Sequence, residues 1–234
     1  MFDSYCIGEA LLKIISIISQ KGGVGKTTLA TALAVEATRR GQQCLLLDLD
    51  PQASATFWND NRGDDGPAVT AIPPARLEHV LKASEEAGAD LVIIDTPPFA
   101  KDIAYDAAKL ADFVLIPAKP AVLDIIAMTR TVDLIKAFSK RAAVVLTFCP
   151  PSGREVGDAE EAVAQLGIAL CPVRIGNRIA YSRAQQTGQV AQEYEAQGKA
   201  AEELKHLYDY TCIHIAEAPN DITEQKTKRA LGGH

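Results

Sequence analysis

The stretch KIISIISQKGGVGKTT, Lys13 to Thr28, constrains the fold more than any other part of the chain. Its β-branched start reads as a buried strand. The strand runs directly into a turn carrying Gly22, Gly23 and Gly25, and the turn opens into a helix expected over about Lys26–Arg40. Leu29, Leu33, Ala34 and Ala37 share one face of that helix, and Gly41 is placed to end it. A strand, a glycine turn and a helix in this order aim backbone N–H groups and the positive end of a helix dipole into one small space. Such a space suits phosphate. Gly22, Gly23, Val24, Gly25, Lys26, Thr27 and Thr28 are the expected phosphate-binding residues. Lys26 is placed for β- and γ-phosphates and the Thr27 hydroxyl for magnesium. The strict phosphate-loop pattern needs glycine at position 20, where this chain has Gln20, and the loop carries a second lysine, Lys21.

Beyond the loop, strands and helices alternate. Strands are expected at Lys13–Ser19, Gln43–Asp50, Ala68–Ile72, Asp90–Asp95, Phe113–Pro117, Ala142–Phe148 and about Ala169–Val173. Helices are expected at Ser54–Asn61, Ala75–Ala87, Asp102–Leu110, Val122–Phe138, Val156–Leu166 and Lys199–Ile215. This order implies a three-layer α/β sandwich with a mostly parallel central sheet. In the last helix Ala201, Leu204, Tyr208, Thr211 and Ile215 form a stripe. A coiled-coil seam or a membrane-lying face would use such a stripe, but a sheet that needs covering gives it a simpler partner. Residues 1–12 read as an extension before the first strand, 13–216 as one domain, and 217–234 as a polar tail.

Ligands of parallel sheets bind beyond the C-terminal strand ends. Asp48 and Asp50 close one strand and Asp95 another. Carboxylates beside a triphosphate need a cation between them, which implies magnesium. Asp48 is placed for a magnesium-bound water or for the Thr27 hydroxyl, and Asp95 for indirect magnesium contact. The competing reading of each aspartate is a turn cap. Pro51 follows Asp50, and Pro97 and Pro98 follow Asp95, so proline stiffens both segments. Phe148–Pro151 and Cys171–Arg174 are the candidate walls of a base pocket by position in the fold.

The bulk properties narrow the class. With 234 residues, 47% hydrophobic and 23% charged, the chain has the composition of a single globular domain. A formal net charge of -6 gives no global attraction to DNA or to an anionic membrane, so either contact would need a local basic patch. Five scattered cysteines lack zinc-site spacing. Neither a secretory signal nor a bilayer-length apolar run is present in the sequence, and a cytoplasmic protein is expected.

KGGVGKTT resembles the deviant phosphate loop of the ParA/MinD family of P-loop ATPases, with Lys21 as its signature lysine and Lys26 as the usual one. LLLDLDPQ (Leu45–Gln52) and LVIIDTPP (Leu91–Pro98) are similar to the next two motifs of the ParA branch. CPVRIGNRIAYSRAQQTGQVAQEYEAQGKAAEEL (Cys171–Leu204) resembles the C-terminal segment of the short, plasmid-partition form. The likeness runs from about Lys13 to Ile215. It implies a P-loop NTPase fold, ATP and Mg2+ as ligands, and slow, partner-stimulated ATP hydrolysis. It also implies a homodimer closed face to face around two ATP molecules. Lys21, Lys26 and Asp50 would then be catalytic. Lys21 would reach the partner's phosphates, and Asp50 would orient the attacking water. Outside the resemblance, Lys21 reads as a solvated surface lysine. The Thr96–Pro98 segment holds the place of a γ-phosphate sensor.

The resemblance further implies a ParB-like partner, nucleoid association and non-specific DNA binding through basic residues, with Arg174, Arg178 and Arg183 as the expected contacts. The competing reading pairs those arginines with nearby acids such as Glu193, Glu195, Glu202 and Glu203. A ParA-like or MinD-like switch that positions a protein assembly is the alternative function. MinD-like membrane attachment is not expected, because ITEQKTKRALGGH has too little apolar face. An iron–sulfur reductase is disfavoured because no cysteine falls between Cys44 and Cys149. A biosynthetic ligase or kinase fits the DLDPQ motif and the C-terminal segment poorly.

Overall fold

The computed structural model describes residues 12–63 and 66–216. The expected extension and tail therefore lie almost wholly outside the described residues. Seven parallel strands form the sheet: β1 (Lys13–Ile17), β2 (Cys44–Asp48), β3 (Ala68–Ala71), β4 (Leu91–Asp95), β5 (Phe113–Ala118), β6 (Ala142–Leu146) and β7 (Ala169–Leu170). Their spatial order is β3-β2-β4-β1-β5-β6-β7. The chain first builds toward one side of β1 and then, at β5, toward the other. β1 and its loop thus occupy the point of reversal, where open α/β sheets bind ligands.

Alternation along each strand divides the core. Ile15, Ile17, Leu46, Ile93, Leu115 and Val145 point to one face. Leu47, Val92, Ile94, Val114, Ile116 and Val144 point to the other. The first face is covered by α1 (Lys26–Arg39), α2 (Ser54–Asp60), α7 (Ile179–Gln186), α8 (Ala191–Tyr194) and α9 (Lys199–Ala216). The second is covered by α3 (Leu77–Glu86), α4 (Lys101–Leu110), α5 (Val122–Ala137) and α6 (Glu155–Gln165).

Several boundaries move from their sequence positions. A 3-10 turn at Pro74–Arg76 precedes α3, because two prolines in succession delay regular helix. β2 stops at Asp48, whose side chain turns back to accept from the backbone N–H of Asp50 at 3.0 Å. β7 keeps only two residues, although backbone bonds from Cys171 to Val144 and from Ile175 to Leu146 prolong its alignment with β6. α7 and α8 were not anticipated, and polar side chains secure them. Arg62 pairs with Glu193 at 2.6 Å, and the Trp58 indole N–H donates to the Gln189 carbonyl at 3.0 Å. The Gln192 amide, fully buried, donates to the Ala32 carbonyl at 3.1 Å.

The stripe on α9 packs inward: Ala201, Leu204, Tyr208, Thr211 and Ile215 are all buried. Leu204→Ala should lower the unfolding free energy by about 2–5 kcal/mol, read from denaturant melts whose midpoint does not depend on protein concentration. A loss below about 1 kcal/mol would mean that the stripe covers little of the core.

Candidate phosphate-binding site

The loop after β1 is held from several sides. Gly23 at φ 68° and Gly25 at φ 89° occupy the left-handed region, which glycine enters without strain. Gly25 is the N-cap of α1, and no acidic residue stands in the first turn, so the positive helix end is left uncompensated. The Thr147 hydroxyl donates to the Val24 carbonyl at 2.9 Å, and the Phe99 N–H donates to the Gln20 carbonyl at 3.3 Å. Lys26 bends back over the turn, its ammonium donating to the Lys21 carbonyl at 3.1 Å. It is only 7% exposed. Burial pulls its pKa below the usual lysine value, against the pull of Asp95 and then Asp50.

β2, β4 and β1 are neighbours, and the register sets Asp95 beside both Asp48 and Ile17. The two aspartates differ in what they hold. One Asp48 oxygen accepts from the Asp50 N–H at 3.0 Å, and the other from the N–H groups of Ala55 at 2.9 Å and Thr56 at 3.3 Å. Asp48 thus braces the entry to α2, the turn-capping role the sequence also allowed. The Thr27 hydroxyl belongs to Asp95 instead, donating to its Oδ2 at 2.6 Å. Asp95 Oδ1 is buried and makes no hydrogen bond among the described residues. Burial drives this carboxyl up to about 7, aided by Asp48 and Asp50 and opposed by the Thr27 hydrogen bond and by Lys26. A buried oxygen without a partner, next to a hydroxyl, is a donor set that a hard divalent cation satisfies. Asp50 is half-buried, and its carboxylate accepts from the Gln52 N–H at 2.9 Å in a local turn.

Lys21 takes no place in this cradle through its side chain. Its ammonium forms an ion pair with Asp124, a residue that is 4% exposed in the first turn of α5. The lysine itself stays 39% exposed at the rim. Among the described residues, three of the four non-glycine residues at positive φ also border this edge: Ala53 after the β2 motif, Phe99 after Pro97 and Pro98, and Phe148 after β6. Backbone strain of about 1–3 kcal/mol each is typical of ligand-binding segments.

Beside the loop opens a cavity of about 490 Å³. Gly25, Thr28 and Leu29 form its floor, Phe148 one side, and the segment Ile175–Ile179 another. From α7, Tyr181, Ser182 and Gln185 close it. The Gln185 amide donates to the Thr28 hydroxyl at 2.9 Å, tying α7 to the first turn of α1. Of the segments proposed for a base pocket from sequence, Phe148 lines the cavity. The second lies a few residues later than expected, because the chain continues its alignment with β6 as far as Gly176.

The three arginines do not form one open cluster. Arg174 pairs with Glu160 at 2.6 Å, and Arg178 pairs with Glu203 at 2.6 Å and lines the cavity. Arg183 is exposed on α7.

The state of Asp95 generates a stability prediction. Its carboxyl binds a proton more tightly in the folded chain than in the unfolded one, where the value is near 3.8. Folding of the ligand-free protein therefore weakens as pH rises from about 4 to about 7. Asp95→Asn removes that loss, so the variant should melt above the parent at pH 8, by up to about 4 kcal/mol, and the advantage should shrink at pH 5. Equal differences at both pH values in thermal melts would contradict this.

Residues 15–191 match the family described as CobQ/CobB/MinD/ParA nucleotide binding domain. Over 206 residues the chain is 29% identical to the maintenance of carboxysome distribution protein A of Halothiobacillus neapolitanus, covering 82% of this chain and 93% of that protein. Over 187 residues it is 29% identical to the protein ParA of Rhizobium radiobacter, covering 76% and 84%. In fold it matches a variant of Cyanothece McdA solved in complex with ATP, with a TM-score of 0.72 at 19% identity over 88% of this chain and 97% of that one. With its parallel sheet, its Lys21–Lys26 loop and this match over most of its length, the chain belongs to the CobQ/CobB/MinD/ParA nucleotide-binding family, as a ParA/MinD-like member.

Proposed function

We propose that this protein is a Mg2+-dependent ATPase switch of the ParA type, one that dimerises on ATP and uses the cycle to position a cargo. The observation that carries the reading is the junction of Thr27 and Asp95 at 2.6 Å beneath a glycine loop and a buried lysine. Triphosphate would lie against the Gly22–Thr28 backbone and the start of α1. Thr27, Asp95 and, through the shape of the β2 turn, Asp48 would hold magnesium, which supplies charge neutralisation at the phosphates. Lys26 would cover the phosphate oxygens with its remaining donors. Asp50, half-buried beside Pro51, would orient the attacking water. The nucleoside would enter the cavity between Phe148 and α7.

Lys21 is the residue that turns a binding site into a switch. Its ammonium is not spent on its own loop, and the exposed rim position leaves it a route to a second protomer. To take that route it must leave Asp124, so closure of two protomers would exchange one ion pair for contact with the neighbour's phosphates. Charge delivered in this way favours phosphoryl transfer only in the closed pair.

For cargo, two readings have specific support. Arg183, exposed on a helix that also lines the cavity, offers a nucleotide-linked DNA contact. Arg174 and Arg178 are already matched by glutamates, which makes that basic surface thin. The relative from Halothiobacillus neapolitanus is named for carboxysome distribution, which favours positioning of a protein assembly. The one from Rhizobium radiobacter is named ParA. A ParB-like or adaptor partner that stimulates hydrolysis fits either cargo.

Sizing the protein with ADP, with ATP and with a non-hydrolysable analogue, each with and without duplex DNA, tests the proposal. The expected result is a dimer only with the triphosphates, and for the DNA reading retention of arbitrary duplex in that state alone, weakened by salt. Lys21→Ala should bind nucleotide within about threefold of the parent and lose ATP-dependent dimerisation or hydrolysis. A Lys21→Ala protein that hydrolyses ATP normally as a monomer would overturn the switch. Dimerisation on ATP with indifference to DNA at low salt would leave a protein assembly as cargo.

A further inference from the structure

The cavity wall formed by Ile175–Arg178 has little regular structure of its own, yet it is held from both sides. On the sheet side, the Cys149 N–H donates to the Ile175 carbonyl and the Asn177 N–H to the Cys149 carbonyl, both at 2.9 Å. On the opposite side a single carboxylate gathers the wall. Glu203 Oε1 accepts from Arg178 Nε at 2.9 Å and from Nη2 at 2.6 Å. Glu203 Oε2 accepts from the Gly176 N–H at 3.0 Å and from the Tyr181 hydroxyl at 2.6 Å. Gly176, Arg178 and Tyr181 all line the cavity, whereas Glu203 stands behind them on the first turns of α9, its side chain 16% exposed.

We propose that Glu203 is a positioning residue for nucleoside binding: it fixes the cavity wall from behind and touches no part of the ligand. The inference rests on reading the cavity as the nucleoside site. An amide, a phenol and a guanidinium converge on this residue, and only a group with two free acceptor oxygens serves all of them. The neighbouring sequence conforms to the arrangement. A Cβ at position 176 would lie 3.1 Å from Arg178 Nε and 3.2 Å from its Cζ, so glycine is the residue that lets the guanidinium fold back over the chain. The hydrogen bond and charge of Glu203 hold the Arg178 guanidinium firmly protonated. A planar guanidinium fixed in one orientation offers a face for a heteroaromatic ring, which a mobile surface arginine does not. Burial and the bond to Glu203 likewise keep the Tyr181 phenol protonated, as a donor to the carboxylate. The wall reaches α9, the helix that packs on α1 and α8, so base occupancy and the seating of α9 share one anchor.

Calorimetric titration of the parent, Glu203→Gln and Tyr181→Phe with ADP and with inorganic tripolyphosphate, both with magnesium, separates the wall from the phosphate loop. The amide of Glu203→Gln can accept at one position only, so ADP affinity should fall about tenfold while tripolyphosphate affinity stays within about twofold. ATP hydrolysis should show the matching split, a raised KM with kcat at saturating ATP little changed. Tyr181→Phe, which keeps the ring and removes one donor, should lose ADP affinity about threefold in the same direction. ADP binding by Glu203→Gln equal to the parent overturns the inference, as does an equal loss of ADP and tripolyphosphate. If Glu203→Gln does not fold, unchanged ADP affinity in Tyr181→Phe overturns it alone. A parent protein that binds tripolyphosphate but neither ADP nor ATP would instead remove the nucleoside reading beneath it.

Discussion

A carboxylate that water cannot reach, held against a threonine hydroxyl, organises the C-terminal edge of this sheet. Asp95 lies at the end of a wholly buried strand, with one oxygen bound to Thr27 and the other without a hydrogen-bond partner among the described residues. Left alone, that arrangement is unfavourable, because burial penalises the charge and an unmatched acceptor adds to the cost. It is tolerable in a fold whose core supplies ample stability and whose ligand brings a cation. The helix start, the two glycines at positive φ and the buried Lys26 surround the same point. The bare helix end and the buried lysine are costly without an anion, and with the glycine turn they are complementary to a cation–phosphate pair.

The two lysines of the loop divide the work. Lys26 is drawn into the cradle, where burial lowers its pKa against the opposing pull of Asp95 and Asp50. Lys21 is turned outward and occupied by Asp124. In the proposed switch, the first lysine serves the phosphates of its own site and the second those of a partner protomer. The ion pair also joins the phosphate loop to α5.

Much of this was legible in the sequence, for physical reasons that can be named. The β-branched runs of β1, β4 and β5 admit one reading, and glycines fix the loop and the end of α1. The spacing of the α9 stripe fits several partners, and the sheet's need for cover singled out the burial that is found. The segment between β7 and α9 was not legible, since α7 and α8 are short, polar and secured by ion pairs and amide bonds rather than by an apolar period. The division of labour between Asp48 and Asp95 was hidden for a similar reason. Both stand at strand ends, and only the α2 backbone N–H groups on one and the Thr27 hydroxyl on the other distinguish them. The sequence offered Glu203 as a partner for the arginines, and it does pair with Arg178; that it also gathers Gly176 and Tyr181 was not legible, because only the fold brings them to it.

The central claim is that the Thr27–Asp95 junction exists to seat a cation beneath a nucleotide's phosphates. Calorimetric titration of the full chain with ATP, in magnesium and again in excess chelator, addresses it most directly. The account predicts that magnesium tightens ATP binding at least tenfold, about 1.4 kcal/mol or more. ATP affinity that is the same with and without the cation would contradict it.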